Sequence, residues 1–233
     1  MSLDAMSEQW QILVVALILG AAHLVAPRAY AAVRKDPARQ VAFGGGLSLA
    51  YVFLHLIPSL DAFQAVVGQR IYFVALLGFV AVYALDVRFQ PPREHHPTKY
   101  HAYLAVFFLY NGLLVFTLAL NLPSTPILTL VFALSLALDV FNTDLEMQAD
   151  YGSRFVKSGR WVLLAGVAIG YALSLIRNPN PVVVDILTAG LAGFLMFHTF
   201  NGLLPASRNK NFRAFVAGIA TLWVFHVLLG GAD

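Results

Sequence analysis

The sequence predicts an all-α, polytopic membrane protein with eight transmembrane helices and both termini outside. Three observations predict this class. The 233 residues are 59% hydrophobic and 12% charged, with a mean hydropathy of +0.73. A soluble globular chain carries roughly 25% charged residues, so this one has too little polar side chain to cover a water-facing surface. Apolar stretches of the about 20 residues needed to cross a bilayer recur along the chain, and Lys and Arg partition between alternate loops.

In order, the apolar stretches are residues 10–33, 41–60, 71–87, 102–120, 126–142, 161–176, 181–204 and 212–229. The first carries Pro27 and Arg28 near its end, where a helix can stop early. RKDPARQ follows the first stretch, PPREHHPTKYH the third, NLPSTP the fourth, RNPNP the sixth and PASRNKN the seventh. These Pro-, Asn- and charge-rich segments are turn sequences. No long linker or low-complexity tract interrupts them, so 1–233 reads as a single transmembrane domain. The N-terminus, MSLDAMSEQW, is acidic, and no small-residue cleavage site follows the first apolar run, which argues against a cleaved signal peptide. With no cysteine there is no disulfide, thiolate ligand or thiol nucleophile.

The basic residues give an orientation. Arg28, Arg34, Lys35 and Arg39 lie around the first loop, Arg88, Arg93 and Lys99 around the third, Arg154, Lys157 and Arg160 around the fifth, and Arg208, Lys210 and Arg213 around the seventh. The opposite side has only Arg70 and Arg177. By the positive-inside rule the odd-numbered loops are cytoplasmic and both termini extracytoplasmic, with the chain in the cytoplasmic (plasma) membrane. The pI near 9.3 is then a topological signal, and no nucleic-acid partner is expected.

The second and seventh stretches echo each other. Gly46 precedes Pro58 by twelve residues and Gly193 precedes Pro205 by twelve, and aliphatic pairs, Leu56-Ile57 and Leu203-Leu204, stand before each proline. One stretch enters from each side, as in the inverted repeats of transporters. The expected repeat relates spans 1–3 to spans 6–8.

Ionisable and amide side chains within these stretches are His23, His55, Asn111, Asp139, Asn142, Asp144, His198, Asn201 and His226. Such groups face the bundle interior or a cavity. His198 and Asn201, three apart, share a helical face. Together these groups could line a polar cavity holding a cation, or bond helix to helix. For His23 and His226, each alone on its span, helix-to-helix bonding is favoured. An unpaired carboxylate at depth is costly, so Asp139 weighs toward function. Arg28 is the one basic side chain within a span that could pair with it. His95, His96 and His101 crowd the third loop, either as loose metal ligands or as solvated loop residues.

Eight spans, a histidine-containing third loop and His55-Leu56-Ile57-Pro58 in the second span resemble the ZIP (Zrt/Irt-like) divalent-metal transporters. The seventh span, AGLAGFLMFHTFNGLLP, is similar to the corresponding segment of that family. The fourth and fifth spans depart from it. Around Asn111, Tyr110 stands where the family has histidine, Leu113 where it has proline and Leu114 where it has glutamate. In the fifth span Asp139 replaces the first histidine, Val140 the first glutamate, Asn142 the proline and Thr143 the second histidine, while Asp144 keeps a carboxylate. The resemblance implies transport of zinc or a similar ion by alternating access, with metal ligands drawn from Asp139, Asn142, Asp144, Asn111, His55, His198 and Asn201. The cation is substrate, with no tightly bound cofactor. The expected partners are the lipid bilayer, the metal ion and a second copy in a homodimer. A divergent member without transport, in a sensing, binding or scaffold role, is the alternative. No enzyme is expected: no HExxH is present, and Gly46-Leu47-Ser48 reads as helix packing rather than a serine nucleophile.

Overall fold

The structure, a computed structural model, describes residues 3–33, 37–61, 68–89, 97–123, 125–176, 179–203 and 211–230. Helix is the only regular secondary structure among them. In lipid this follows from the need of every backbone N–H and C=O for an internal partner. The helices are α1 (Leu3–Val33), α2 (Pro37–Tyr51), α3 (Arg70–Phe89), α4 (Pro97–Leu120), α5 (Pro126–Arg154), α6 (Arg160–Ser174), α7 (Pro181–His198) and α8 (Phe212–Gly230). Four of them begin with proline, the residue whose missing N–H costs nothing at a first helical position. Thr125 and Asn180 cap α5 and α7, their side chains accepting from Leu128 N and Val182 N.

Seven helical stretches among the described residues are long and apolar enough to cross a membrane. Six match six of the predicted spans. The seventh, Pro126–Ser174, is 49 residues long and contains α5, a π-turn at Phe155–Gly159 and α6. It includes a non-helical residue, Gly152, at φ 54° and ψ −129°, backbone that glycine adopts without a Cβ penalty. One boundary differs from expectation, and one early stop that the sequence allows is not taken. The first helix does not stop at Pro27 but continues to Val33, and Arg28 turns back to donate to the Leu24 carbonyl at 2.7 Å. The fifth runs past Asn142 to Arg154: Thr143, Asp144, Leu145 and Met147 are buried against neighbouring helices, while Glu146, Asp150 and Arg154 are exposed.

The helices pack chiefly as four pairs: α1 with α5, α2 with α8, α3 with α7 and α4 with α6. Exchanging α1 with α6, α2 with α7, α3 with α8 and α4 with α5 returns the same four pairs. The match extends to single residues. A Cβ on Gly46 would strike the backbone of Phe215 and Ile219, and one on Gly193 would strike that of Ala75 and Phe79. Gly218 approaches the Phe43 carbonyl as Gly78 approaches that of Gly190. Counterparts on α2 and α7 are 147 positions apart, and those on α3 and α8 are 140 apart. The π-turns Val52–Leu56 and Thr199–Leu203, which extend α2 and α7, also differ by 147. In the first, the wider turn accommodates the hydrogen bond that Pro58 cannot donate. Pro205 has the same place in the sequence but lies outside the described residues. α3 and α8 are peripheral, with Leu76, Leu77, Trp223 and Leu228 facing outward.

Backbone contact at Gly46 predicts that Gly46→Leu lowers the melting temperature of the purified protein in detergent, by about 1–3 kcal/mol of overpacking. Gly190→Ala, where a new Cβ meets nothing within 4 Å, is expected to leave it unchanged.

Candidate functional site

Asp139 lies near the middle of α5, fully buried. Its carboxylate is served from three other helices. Tyr110 on α4 donates its hydroxyl to Oδ2 at 2.5 Å, Ser48 on α2 donates to Oδ1 at 3.0 Å, and His198 Nε2 at the end of α7 lies 3.9 Å from Oδ1. One turn along α5, Thr143 donates to the Asp139 carbonyl, and its hydroxyl lies 3.3 Å from the same His198 nitrogen. Charge-assisted bonds of this kind are the stronger ones. A carboxylate has about four acceptor positions, so two hydroxyl donors leave capacity at Asp139 for a further ligand.

The remaining predicted residues divide. Asn142, buried, accepts from Gln40 Nε2 at 3.1 Å, and its amide nitrogen lies against Gly44, where a Cβ would overlap it. Gln40, Gly44 and Ser48 are spaced by four, so one stripe of α2 meets Asn142 and Asp139. Asp144 is buried on the side of α5 that meets α1. His23 Nδ1 lies 2.8 Å from its Oδ2, both side chains being essentially inaccessible. The helix-to-helix role favoured for His23 is thus the arrangement found. Asn111 donates to the Phe107 carbonyl of its own helix. His55 packs on Tyr51 and Phe132, and His226 stacks on the same Phe132. Arg28 does not reach Asp139, having turned to its own helix. His101 lies 2.9 Å from Arg154, while His95 and His96 lie outside the described residues. Asp139 and His198 therefore come together, and Asn142 adjoins them on α5. Asp144, Asn111 and His55 have other partners.

A cavity of about 250 Å³ lies between α3, α4, α5 and α7. Asp86, Lys99, Glu146, Asp150, His198 and Asn201 supply its polar lining. His198 and Thr143 line this cavity and also stand beside Asp139, joining the two. Among the described residues no group of three or more His, Asp or Glu is placed to hold a metal ion. The site is therefore one buried carboxylate with an imidazole and three hydroxyls beside it, approached past acidic side chains. Oxygen and imidazole donors suit divalent first-row metals. α4 and α5 run unbroken through the positions where the resemblance has prolines, so their carbonyls stay within the helices.

Sequence reading missed Glu146, Asp86, Asp150 and Gln40, and assigned Ser48 to packing. The signal for Ser48 was its spacing of four from Gly44 and eight from Gln40. Glu146 could have been found at three and seven residues beyond Thr143 and Asp139, the face pointing to α7.

His23→Ala is expected to leave Asp144 buried without its partner and to cost about 3–5 kcal/mol, the cost of a broken buried pair, read as a lower melting temperature. His23→Ala combined with Asp144→Ala should recover much of that loss.

No protein-family model and no curated protein matches this chain, so its site has to be read from its own residues.

Proposed function

We propose that the chain is a ZIP-like membrane transporter that crosses the bilayer eight times and moves a divalent cation, zinc or a similar ion, through the Asp139–His198 site. The observation that carries the reading is the full burial of Asp139 with hydroxyl donors from α2 and α4 and the His198 imidazole of α7 beside it. Ionisable groups at such depth in a membrane are rare and mark substrate and ion pathways by default.

Helix directions support eight crossings. A helix of 49 residues would span about 74 Å at 1.5 Å per residue, over twice the hydrocarbon thickness. Gln11 meets Thr129 and His23 meets Asp144, so α1 and α5 run parallel. Phe108 meets Gly166 and Gly112 meets Gly170, so α4 and α6 run parallel. Since α1 and α4 are three crossings apart and opposed, α5 and α6 oppose each other, with Gly152 between them. The N-terminal ends of α2 and α8 line one groove, which requires an odd number of crossings between them. Both termini then share a face, and the matching halves are inverted, a plan on which substrate sites lie near the midplane.

The pairings also form two bodies. α1, α4, α5 and α6 pack together as one, and the pairs α2–α8 and α3–α7, joined to each other mainly through the π-turns, pack on it as the other. Asp139 and Tyr110 belong to the first body, Ser48 and His198 to the second. A shift of one body against the other would open and close the site between them, which is alternating access. The cavity at His198 is one approach, with Asp86, Glu146 and Asp150 attracting cations.

One observation favours a second reading, a ZIP-fold protein that binds metal without transport or serves as a scaffold. This is the lack of a three-ligand His/Asp/Glu group among the described residues. Proteoliposome uptake of zinc, cadmium, manganese and iron tests the transport reading. The expected result is flux of at least one metal, reduced about tenfold or more in Asp139→Ala and in His198→Ala, the loss of one charge-assisted ligand. Flux undiminished in Asp139→Ala would sink the site. No flux, but stoichiometric calorimetric binding abolished in Asp139→Ala, would assign the sensing role. Neither flux nor binding would assign the scaffold.

A further inference from the structure

A second polar site lies away from Asp139, where α2 and α8 begin. Arg39 and Gln40 from α2 line an open groove of about 800 Å³ with Asn211 and Arg213 at the start of α8. Phe43, Ala214 and Ala217 form its apolar lining. Both arginine side chains are exposed, and neither has an ion-pair partner among the described residues. Gln40 commits one amide hydrogen to Asn142 and is half-buried, which fixes its side chain at the groove wall.

Two guanidinium groups from different helices, lining one groove at the helix ends without an ion-pair partner among the described residues, suit a phosphate group, which arginine binds through paired N–H donors. Phe43 and Ala217 lie one turn further along the two helices. A ligand that fills the groove carries negative charge at the helix ends and hydrocarbon toward the bundle. Basic pockets between membrane helices recognise anionic lipid headgroups by this combination. A soluble anion would use the arginines and leave the apolar part wet.

We propose that the groove between the first turns of α2 and α8 binds the phosphate headgroup of an anionic phospholipid, its acyl chains lying along Phe43 and Ala217. This rests on the placement of α2 and α8 in a membrane and not on cation transport. The site is one hydrogen bond, Gln40 to Asn142, from the helix that carries Asp139.

The test uses the full chain in nanodiscs of phosphatidylglycerol and phosphatidylcholine in equal parts, with lipid retained on gentle extraction counted by native mass spectrometry. Retention of phosphatidylglycerol over phosphatidylcholine is expected at about 30-fold, the combined effect of two basic residues at a membrane surface. Arg39→Gln with Arg213→Gln should abolish that preference, and Arg39→Lys with Arg213→Lys should keep part of it. Equal retention of the two lipids by the wild type overturns the proposal, as does a preference that survives the double glutamine variant. Displacement of the lipid by inorganic phosphate at matched concentration would also overturn it, by identifying a soluble-anion site. Asp139→Ala should leave the lipid preference intact, so failure of the transport reading is distinguishable from failure here.

Discussion

The structure depends on keeping one carboxylate, Asp139, inside an apolar helix bundle. Such a group needs donors, and among the described residues no lysine or arginine supplies them. The hydroxyls of Ser48 and Tyr110 do so instead, with the His198 imidazole nearby. The two donors come from α2 and α4 and the imidazole from α7, so the side chains of all three helices reach α5 at one level. A second buried acid, Asp144, is met on the opposite side by His23 of α1. α5 is therefore the axis of the molecule, held through polar contacts along its buried length.

Close packing elsewhere is built from glycine. Gly46 and Gly218 bring α2 against α8, and Gly78 and Gly193 do the same for α3 and α7, in each case to backbone contact. Small residues serve this purpose in lipid, where helix association relies on van der Waals fit. Because both interfaces use the same spacing, one packing solution appears twice. The π-turns that extend α2 and α7 recur with it, and the second follows directly on His198. In α2 the corresponding position is Tyr51, an apolar core residue. The packing is duplicated, whereas the polar site is not.

The membrane class, most span boundaries and the α2–α7 echo were legible because each depends on local composition or on spacing along one helix. The length of α5 was not, since the residues beyond Asn142 look polar in sequence, and the contacts that bury Thr143 and Asp144 come from other helices. Asp139 and His198 were recognisable as polar groups at depth, but their meeting was not, because it depends on how α5 and α7 cross. Ser48 and Tyr110 were overlooked for a related reason: a hydroxyl in an apolar helix looks like packing until a carboxylate from another helix is placed against it. Asp144 stood out by its charge alone, and only the α1 contact shows that its partner is His23.

The most direct measurement of the eight-crossing inverted arrangement uses the lack of native cysteine, which makes any introduced thiol unique. Single cysteines at Ser7, Ser153 and Ala232 would be labelled in sealed vesicles with a membrane-impermeant maleimide. The eight-crossing arrangement predicts that Ser7→Cys and Ala232→Cys react from the same face and Ser153→Cys from the opposite one. Labelling of the two terminal positions from opposite faces would contradict it.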